Sequence, residues 1–281
     1  METVFDIYDS NENMGLNVLS NCLRVSEHIL NLTLKEYEGT FKSEDIVVLG
    51  MYRKLIEKID GCFILIDQGS ESIATIGVRA GFETFLGIVY LLEDDKKIME
   101  KAQAYNVSFV REELKMLEFA LSSDKAKLPK NELKSLIRQK KEILSDNIET
   151  DNEWRNVRNA MRLNKFRGDP KWYSLYNGEK SYRMQSLKSL AKELGYIEEY
   201  NMLYSHFSLE AHGYIALKDI TRNAEGLTFK DIRTKEIFPT HIIQTRGYLL
   251  IITKKIIQRY ISNYNELFSN FTIAIVQMYK P

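Results

Sequence analysis

Apolar residues recur at spacings of three and four over most of the chain, a period that predicts a succession of helices. The first runs from Met14 to about Tyr37, with Leu16, Leu19, Leu23, Ile29 and Leu32 among its apolar positions. A second, from about Glu44 to Asp67, carries Val48, Met51, Leu55, Ile59, Cys62 and Ile66 on its inner side. The turn Gln68-Gly69-Ser70 then leads into SESIATIGVRAGFETFLGIVYLLE, Ser70 to Glu93, which is apolar nearly all round and belongs at the centre of a bundle. Asp94 to Glu100 opens a more polar helix, and Val107 to Ala120 predicts another. A Lys-rich run from Lys125 to Lys141 contains Pro129, and a helix follows from Asn152 to Phe166. Residues 107–165 therefore read as a charged helical hairpin that projects from the bundle.

Further along, RGDPKWYSLYNGEK from Arg167 to Lys180 reads as a loop, and a helix starting near Ser181 ends at Gly195. Tyr196 to Ile220 continues in helical register, Asn223 to Lys235 is variable, and a closing helix runs from about His241 to Phe268. The apolar residues Phe271 to Tyr279 are expected to dock. No stretch alternates with period two for long enough to demand a sheet. The expected fold is an all-α helical bundle around a central helix at about 70–93, a single domain over residues 1–281.

The central stretch holds one anomaly. Between Ile73 and Leu92 its only charges are Arg79 and Glu83, four residues apart and so on one helix face. Buried ions must be mutually paired and further hydrogen-bonded, because an isolated one costs several kcal/mol. The GxxxG spacing of Gly77 and Gly81 invites a membrane span, but Arg and Glu at mid-span would together cost about 5 kcal/mol. A protein without a membrane segment is the expectation.

Composition narrows the function classes. Lys and Arg total 39, as do Asp and Glu, so no whole-chain field selects a polyanion and any nucleic-acid site is a local patch. Cys22 and Cys62 both fall in apolar helical patterns and read as small packed hydrophobes. The opening METVFDIYDSNENMG has neither a basic nor an apolar leader region, so a cytoplasmic location is expected.

Two further stretches carry candidate chemistry. Arg155, Arg158, Arg162 and Lys165 form a basic stripe beside the apolar Trp154, Val157 and Met161. Such a stripe can follow phosphates, with Trp172 and Tyr173 as rings for stacking. The acids Asp146, Glu149, Asp151 and Glu153 just upstream can equally neutralise it. In the second stretch, Tyr200, Tyr204, Ser208 and His212 fall at successive i+4 steps, lining one ridge with three hydroxyls and an imidazole. His206 and His212 diverge, no HExxH spacing occurs, and neither a metal nor a cofactor is expected.

Arg79-Ala80-Gly81-Phe82-Glu83 within an apolar helix, then Trp172, then Tyr200, Tyr204, Ser208 and His212-Gly213, together resemble a bacterial helical family, domain of unknown function 5677. The likeness covers roughly Ile46 to Leu217. That family is in turn similar to helical bundles of the HEPN type, many of which are dimeric RNases of toxin and antiphage systems. The Arg–His spacing of those RNases has no counterpart here, since Arg24 and His28 are one residue too close.

The resemblance implies an antiphage or toxin-type effector, a metal-independent RNase with Arg79, Glu83, His212, Tyr204 and Ser208 as catalytic residues. Arg155, Arg158, Arg162 and Lys165 would then hold RNA. Such cleavage needs a base for the 2′-hydroxyl, an acid for the leaving oxygen and a cation for the phosphorane. His212 fits base or acid, Arg79 the cation, and Glu83 or Tyr204 an orienting role. A homodimer would form through the long closing helix. The alternative is a non-catalytic helical module that binds a nucleotide, a small anion or a protein partner. A purely structural role also fits, because a buried Arg–Glu pair bonded by Tyr and His can fix the register of a bundle.

Overall fold

The computed structural model describes residues 5–8, 13–124, 127–204, 207, 216–223, 226–234 and 239–278. In chain order the elements are α1 (Met14–Glu36), α2 (Ser43–Asp67), α3 (Glu71–Leu91), α4 (Ile98–Ser122), α5 (Lys130–Asp146), α6 (Ile148–Leu163), α7 (Leu187–Glu193) and α8 (Ile197–Glu199). A two-stranded ribbon follows, β1 (Ile220–Asn223) and β2 (Gly226–Phe229), then α9 (Pro239–Tyr260) and α10 (Asn265–Met278). The fold is an all-α helical bundle with one small hairpin.

Local chemistry sets many of the boundaries. The Asn13 side chain accepts from the Leu16 amide and caps α1, and Ser186 with Ser189 forms a reciprocal cap on α7. Gly195, at φ +81°, stops α7 in the left-handed conformation that glycine adopts without steric cost. Gly69, at φ +74°, makes the reversal between α2 and α3, and its carbonyl accepts from the Thr234 amide at 3.0 Å.

Several boundaries differ from the sequence pattern. The two helices expected on either side of Val107 are one continuous α4, because Ala102, Ala104, Val107 and Val110 keep a single buried stripe through the join. The helix expected from Ser181 starts only at Leu187, since Gly178–Arg183 winds as a 3-10 turn. The closing helix breaks after Tyr260 at a 3-10 turn, Ser262–Tyr264, and α10 takes up the apolar tail, burying Phe268, Phe271 and Ile275. The β1–β2 ribbon was not expected. Its four pairs, Ile220 with Phe229 through Asn223 with Gly226, are too short to show a period of two.

The chain divides into two compact units: Met1–Phe41, Leu49–Val89 and Gly195–Pro281 in the first, Lys42–Val48 and Tyr90–Leu194 in the second. The first is built on α1 against α9, with Leu19, Ile29, Leu55, Ile59, Phe85 and Ile256 fully buried. Tyr52 is equally buried, and its hydroxyl meets Thr253 Oγ1 at 2.7 Å and donates to the Ser26 carbonyl at 3.1 Å. Left unbonded, that hydroxyl would cost about 1–3 kcal/mol.

α2 and α3 approach closely at Gly77. A Cβ there would lie 2.5 Å from Cys62 Sγ. Gly77→Ala should therefore destabilise the fold by about 1–3 kcal/mol despite alanine's better helix propensity, and a Cys62→Ala background should remove most of that cost in denaturant melts. A cost unchanged in that background would contradict the packing assignment.

Burial pushes both thiols, Cys22 and Cys62, up to about 12 from the ordinary 9.0. The unfolded chain thus releases each proton above about pH 9 while the folded chain holds it. Stability contributed by each thiol is present below pH 9 and lost as pH rises towards 12, at about 1.4 kcal/mol per unit per proton. Thiol reagents should label neither cysteine at pH 8 until the protein is unfolded; rapid native labelling would refute the burial.

In the second unit α4 and α5 form an antiparallel pair, tied by Lys140 to Glu113 at 2.7 Å and Lys141 to Glu118 at 3.4 Å. α6 packs Trp154, Val157 and Met161 against Ala104 and Leu175.

Candidate functional site

α3 carries four polar side chains at successive i+4 steps: Glu71, Thr75, Arg79 and Glu83. At 100° per residue each step drifts by about 40°, so the four make a shallow spiral along one side of the helix. Segments from late in the chain close over both ends of that spiral.

At the Glu83 end the partner is Tyr204. Arg79 Nη2 donates to the Tyr204 hydroxyl at 2.6 Å, and the same hydroxyl donates to Glu83 Oε1 at 2.8 Å. Arg79 Nε lies 3.5 Å from that carboxylate oxygen, and the guanidinium carbon sits 4.4 Å from the centre of the Tyr204 ring. The Arg79 and Glu83 side chains are 23% and 44% exposed, so water and small solutes reach the pair. Burial and the bond to Glu83 push the Tyr204 phenol above the usual tyrosine range, with Arg79 opposing. From α2, Lys58 Nζ donates to Thr84 Oγ1 at 2.6 Å and to the Ala80 carbonyl at 3.3 Å.

The backbone that presents Tyr204 is a π turn, Tyr200–Tyr204, not the regular helix of the sequence reading. The extra residue per turn changes the i+4 register, yet the Tyr200 and Tyr204 rings still stack at 4.8 Å. Phe82 packs on Tyr204 and on Tyr248 at 6.4 and 5.7 Å. Ser208 and His212, the remaining members of the predicted ridge, lie outside the described residues.

At the Glu71 end the partner is His241, near the start of α9. Its Nδ1 donates to Glu71 Oε1 at 2.7 Å, its Nε2 shares a 3.3 Å hydrogen bond with Thr75 Oγ1, and the Phe207 ring lies 5.3 Å away. His241, Glu71 and Thr75 are all buried. The sequence reading missed this constellation. The signal was the i+4 run from Glu71 through Thr75 to Arg79, obscured because Glu71 stands at the helix start, where an acid ordinarily favours the macrodipole.

In the second unit the basic stripe separates into two halves. Arg155 pairs with Asp151 at 2.9 Å and Arg158 with Asp169 at 3.2 Å. Arg111 also bonds Asp151, at 2.7 Å from Nε, and stacks 3.9 Å from Trp154. Arg162 and Lys165 are exposed and form no ion pair among the described residues. Trp172 packs edge-on against Tyr90 and Tyr105, each at 5.4 Å, and Tyr173 is buried, so these rings are committed to packing and not to stacking on bases.

Residues 45–226, more than half of the chain, match the family of unknown function DUF5677. The chain belongs to that family. No curated protein and no solved structure matches it. The DUF5677 segment spans α3 and Tyr204, while His241 lies beyond it. Among the described residues no three His, Cys, Asp or Glu side chains gather as a metal site. α3 is the one described helix long and apolar enough to cross a membrane; 61% of its most apolar window is buried inside the protein.

Proposed function

We propose that this protein is a toxin-type effector that cleaves RNA without a metal, at the site formed by Arg79, Glu83 and Tyr204. The observation that carries the reading is the Tyr204 hydroxyl, which bonds a guanidinium and a carboxylate at once on a side of α3 that solvent reaches.

In the reaction the 2′-hydroxyl attacks phosphorus, its proton passes to a base, the 5′-oxygen leaves and takes a proton, and a cyclic 2′,3′-phosphate forms. Arg79 offsets the negative charge that builds on the phosphorane oxygens. His212, eight residues after Tyr204, serves as base or acid, with Ser208 four residues before it in the chain; Glu83 and Tyr204 hold Arg79 in place. Arg162 and Lys165, the half of the basic stripe outside the ion pairs to Asp151 and Asp169, provide cations for the phosphate backbone.

Expression in a bacterial host tests the reading. The wild type should arrest growth and fragment cellular RNA, and His212→Ala should do neither while keeping its thermal melt. Harmless expression of a folded wild type, with RNA intact, would count against it.

The alternative, a module that captures a nucleotide or small anion without turnover, draws on the same half-buried guanidinium. It would show as a ligand-raised melting temperature with no cleavage.

A further inference from the structure

We infer that the end of α6 and the 3-10 turn Gly178–Arg183 form a surface that holds a single-stranded nucleic acid, with Arg162, Lys165, Arg167 and Arg183 on its phosphates and Phe166 stacked on a base. This deepens the reading of Arg162 and Lys165 as phosphate contacts. It lies wholly within the second unit and does not require that the protein cleave RNA.

Rings bring the two segments together. Arg162 and Lys165 stand three residues apart where α6 ends, and Phe166 follows, its amide donating to the Met161 carbonyl at 2.9 Å. The Phe166 ring meets the Tyr182 ring at 6.2 Å, nearly edge to face. The Arg183 guanidinium carbon lies 5.2 Å from the centre of that Tyr182 ring, and its Nε donates to the Tyr182 hydroxyl at 2.9 Å. The Lys171 amide donates to Gln185 Oε1 at 3.1 Å, so the loop after Phe166 runs beside the turn. An aromatic pair therefore separates cations that come from two parts of the chain.

The charge at this place is uncompensated. Residues 162–171 carry four cations and one acid, and residues 181–188 carry two cations and no acid. The acid, Asp169, is already taken up by Lys115 at 3.1 Å and Arg158 at 3.2 Å. Arg162, Lys165, Arg167 and Arg183 are exposed and enter no ion pair among the described residues. Clustered cations of this kind repel one another, and a run of phosphates relieves the repulsion. Lys165 also adopts φ +63°, the left-handed conformation that glycine ordinarily supplies just past a helix end. The chain keeps a cation where folding alone favours glycine.

Phe166 selects the occupant. Its ring is 42% exposed among these cations. A duplex keeps its base faces stacked inside, whereas a single strand offers them to such a ring. Leu163 is exposed beside it, but two side chains are too little apolar area for a lipid surface, whose binding grows with the apolar area buried. An acidic peptide would use the cations and leave the ring unused.

The test uses the full chain and a single-stranded 2′-O-methyl RNA, which lacks the attacking hydroxyl, beside its duplex, polyglutamate and phosphatidylserine vesicles. Arg162→Gln combined with Arg183→Gln should bind the strand more than tenfold more weakly at low salt. The slope of log K against log salt should fall by about 1.4, which is two phosphate contacts at about 0.7 each. Phe166→Leu keeps an apolar side chain against Tyr182 and should cost about fivefold on the single strand, none on the duplex, with the slope unchanged. Lys165→Gly should weaken binding while raising the melting temperature, a pair of opposite signs that a structural lysine would not give. A wild type that does not bind the strand, or that prefers polyglutamate or vesicles to it, would overturn the surface. So would folded variants with wild-type affinity and slope, even if the wild type cleaves ordinary RNA. A wild type that binds the analogue as described but leaves ordinary RNA intact supports the surface and removes the cleavage reading alone.

Discussion

Replacing His241 with leucine should lower stability by about 3–5 kcal/mol, the cost of leaving the buried Glu71 carboxylate without the imidazole that donates to it. For a chain of this size the melting temperature should fall by roughly 6–15 °C. The magnitude follows from burial. Glu71 is 3% and His241 7% exposed, so when the imidazole goes, water cannot take over its 2.7 Å bond to the carboxylate. The Thr75 hydroxyl loses its bond to Nε2 in the same step. If the cost arises from the stranded carboxylate, Glu71→Leu combined with His241→Leu should recover most of it, because two apolar side chains of similar volume replace a pair that had to be desolvated. Equal losses for single and double variants in urea melts would show instead that the site is held by packing around Phe207.

Arg79→Ala should reduce RNA cleavage by about 10²–10³-fold, the usual consequence of removing a group that stabilises developing oxyanion charge. Its effect on folding should be small, within about 1 kcal/mol, because the ion pair is partly exposed and screened by solvent. The separation of the two effects decides between a reaction centre and a structural tie. Tyr204→Phe removes the hydroxyl that links Arg79 to Glu83 but keeps the ring under the guanidinium, so it should lose less activity than Arg79→Ala. If both variants lose stability in proportion to any activity lost, the pair fixes the bundle and nothing more.

Much of the fold was legible because its elements are long. α1, α2 and α3 each exceed twenty residues, and over that length a buried stripe fixes both helix type and phase. Local pattern failed where elements are short or where packing overrides register. The ribbon offers only four residues per strand, and the π turn at Tyr200 is a backbone choice that side-chain spacing cannot encode.

The candidate site was legible in part for a physical reason. An Arg–Glu pair within an apolar helix demands a polar partner, and Tyr204 was readable as that partner because hydroxyls are rare at such spacing. His241 and Lys58 were not readable, since nothing in the local sequence separates either from the other polar residues of its helix, and only the packing of α9 and α2 on α3 gives them partners. The basic stripe shows the converse. Its spacing is real, but which cations remain free depends on Asp151 and Asp169, and Asp169 belongs to a loop whose path the stripe does not fix.

The most direct test is incubation of the purified protein with end-labelled single-stranded RNA in the presence of EDTA, beside Arg79→Ala and His212→Ala. The wild type should produce fragments ending in 2′,3′-cyclic phosphate, and both variants should leave the strand whole. Intact RNA with the wild type, or the same fragments with Arg79→Ala, would contradict a metal-independent reaction centre on α3.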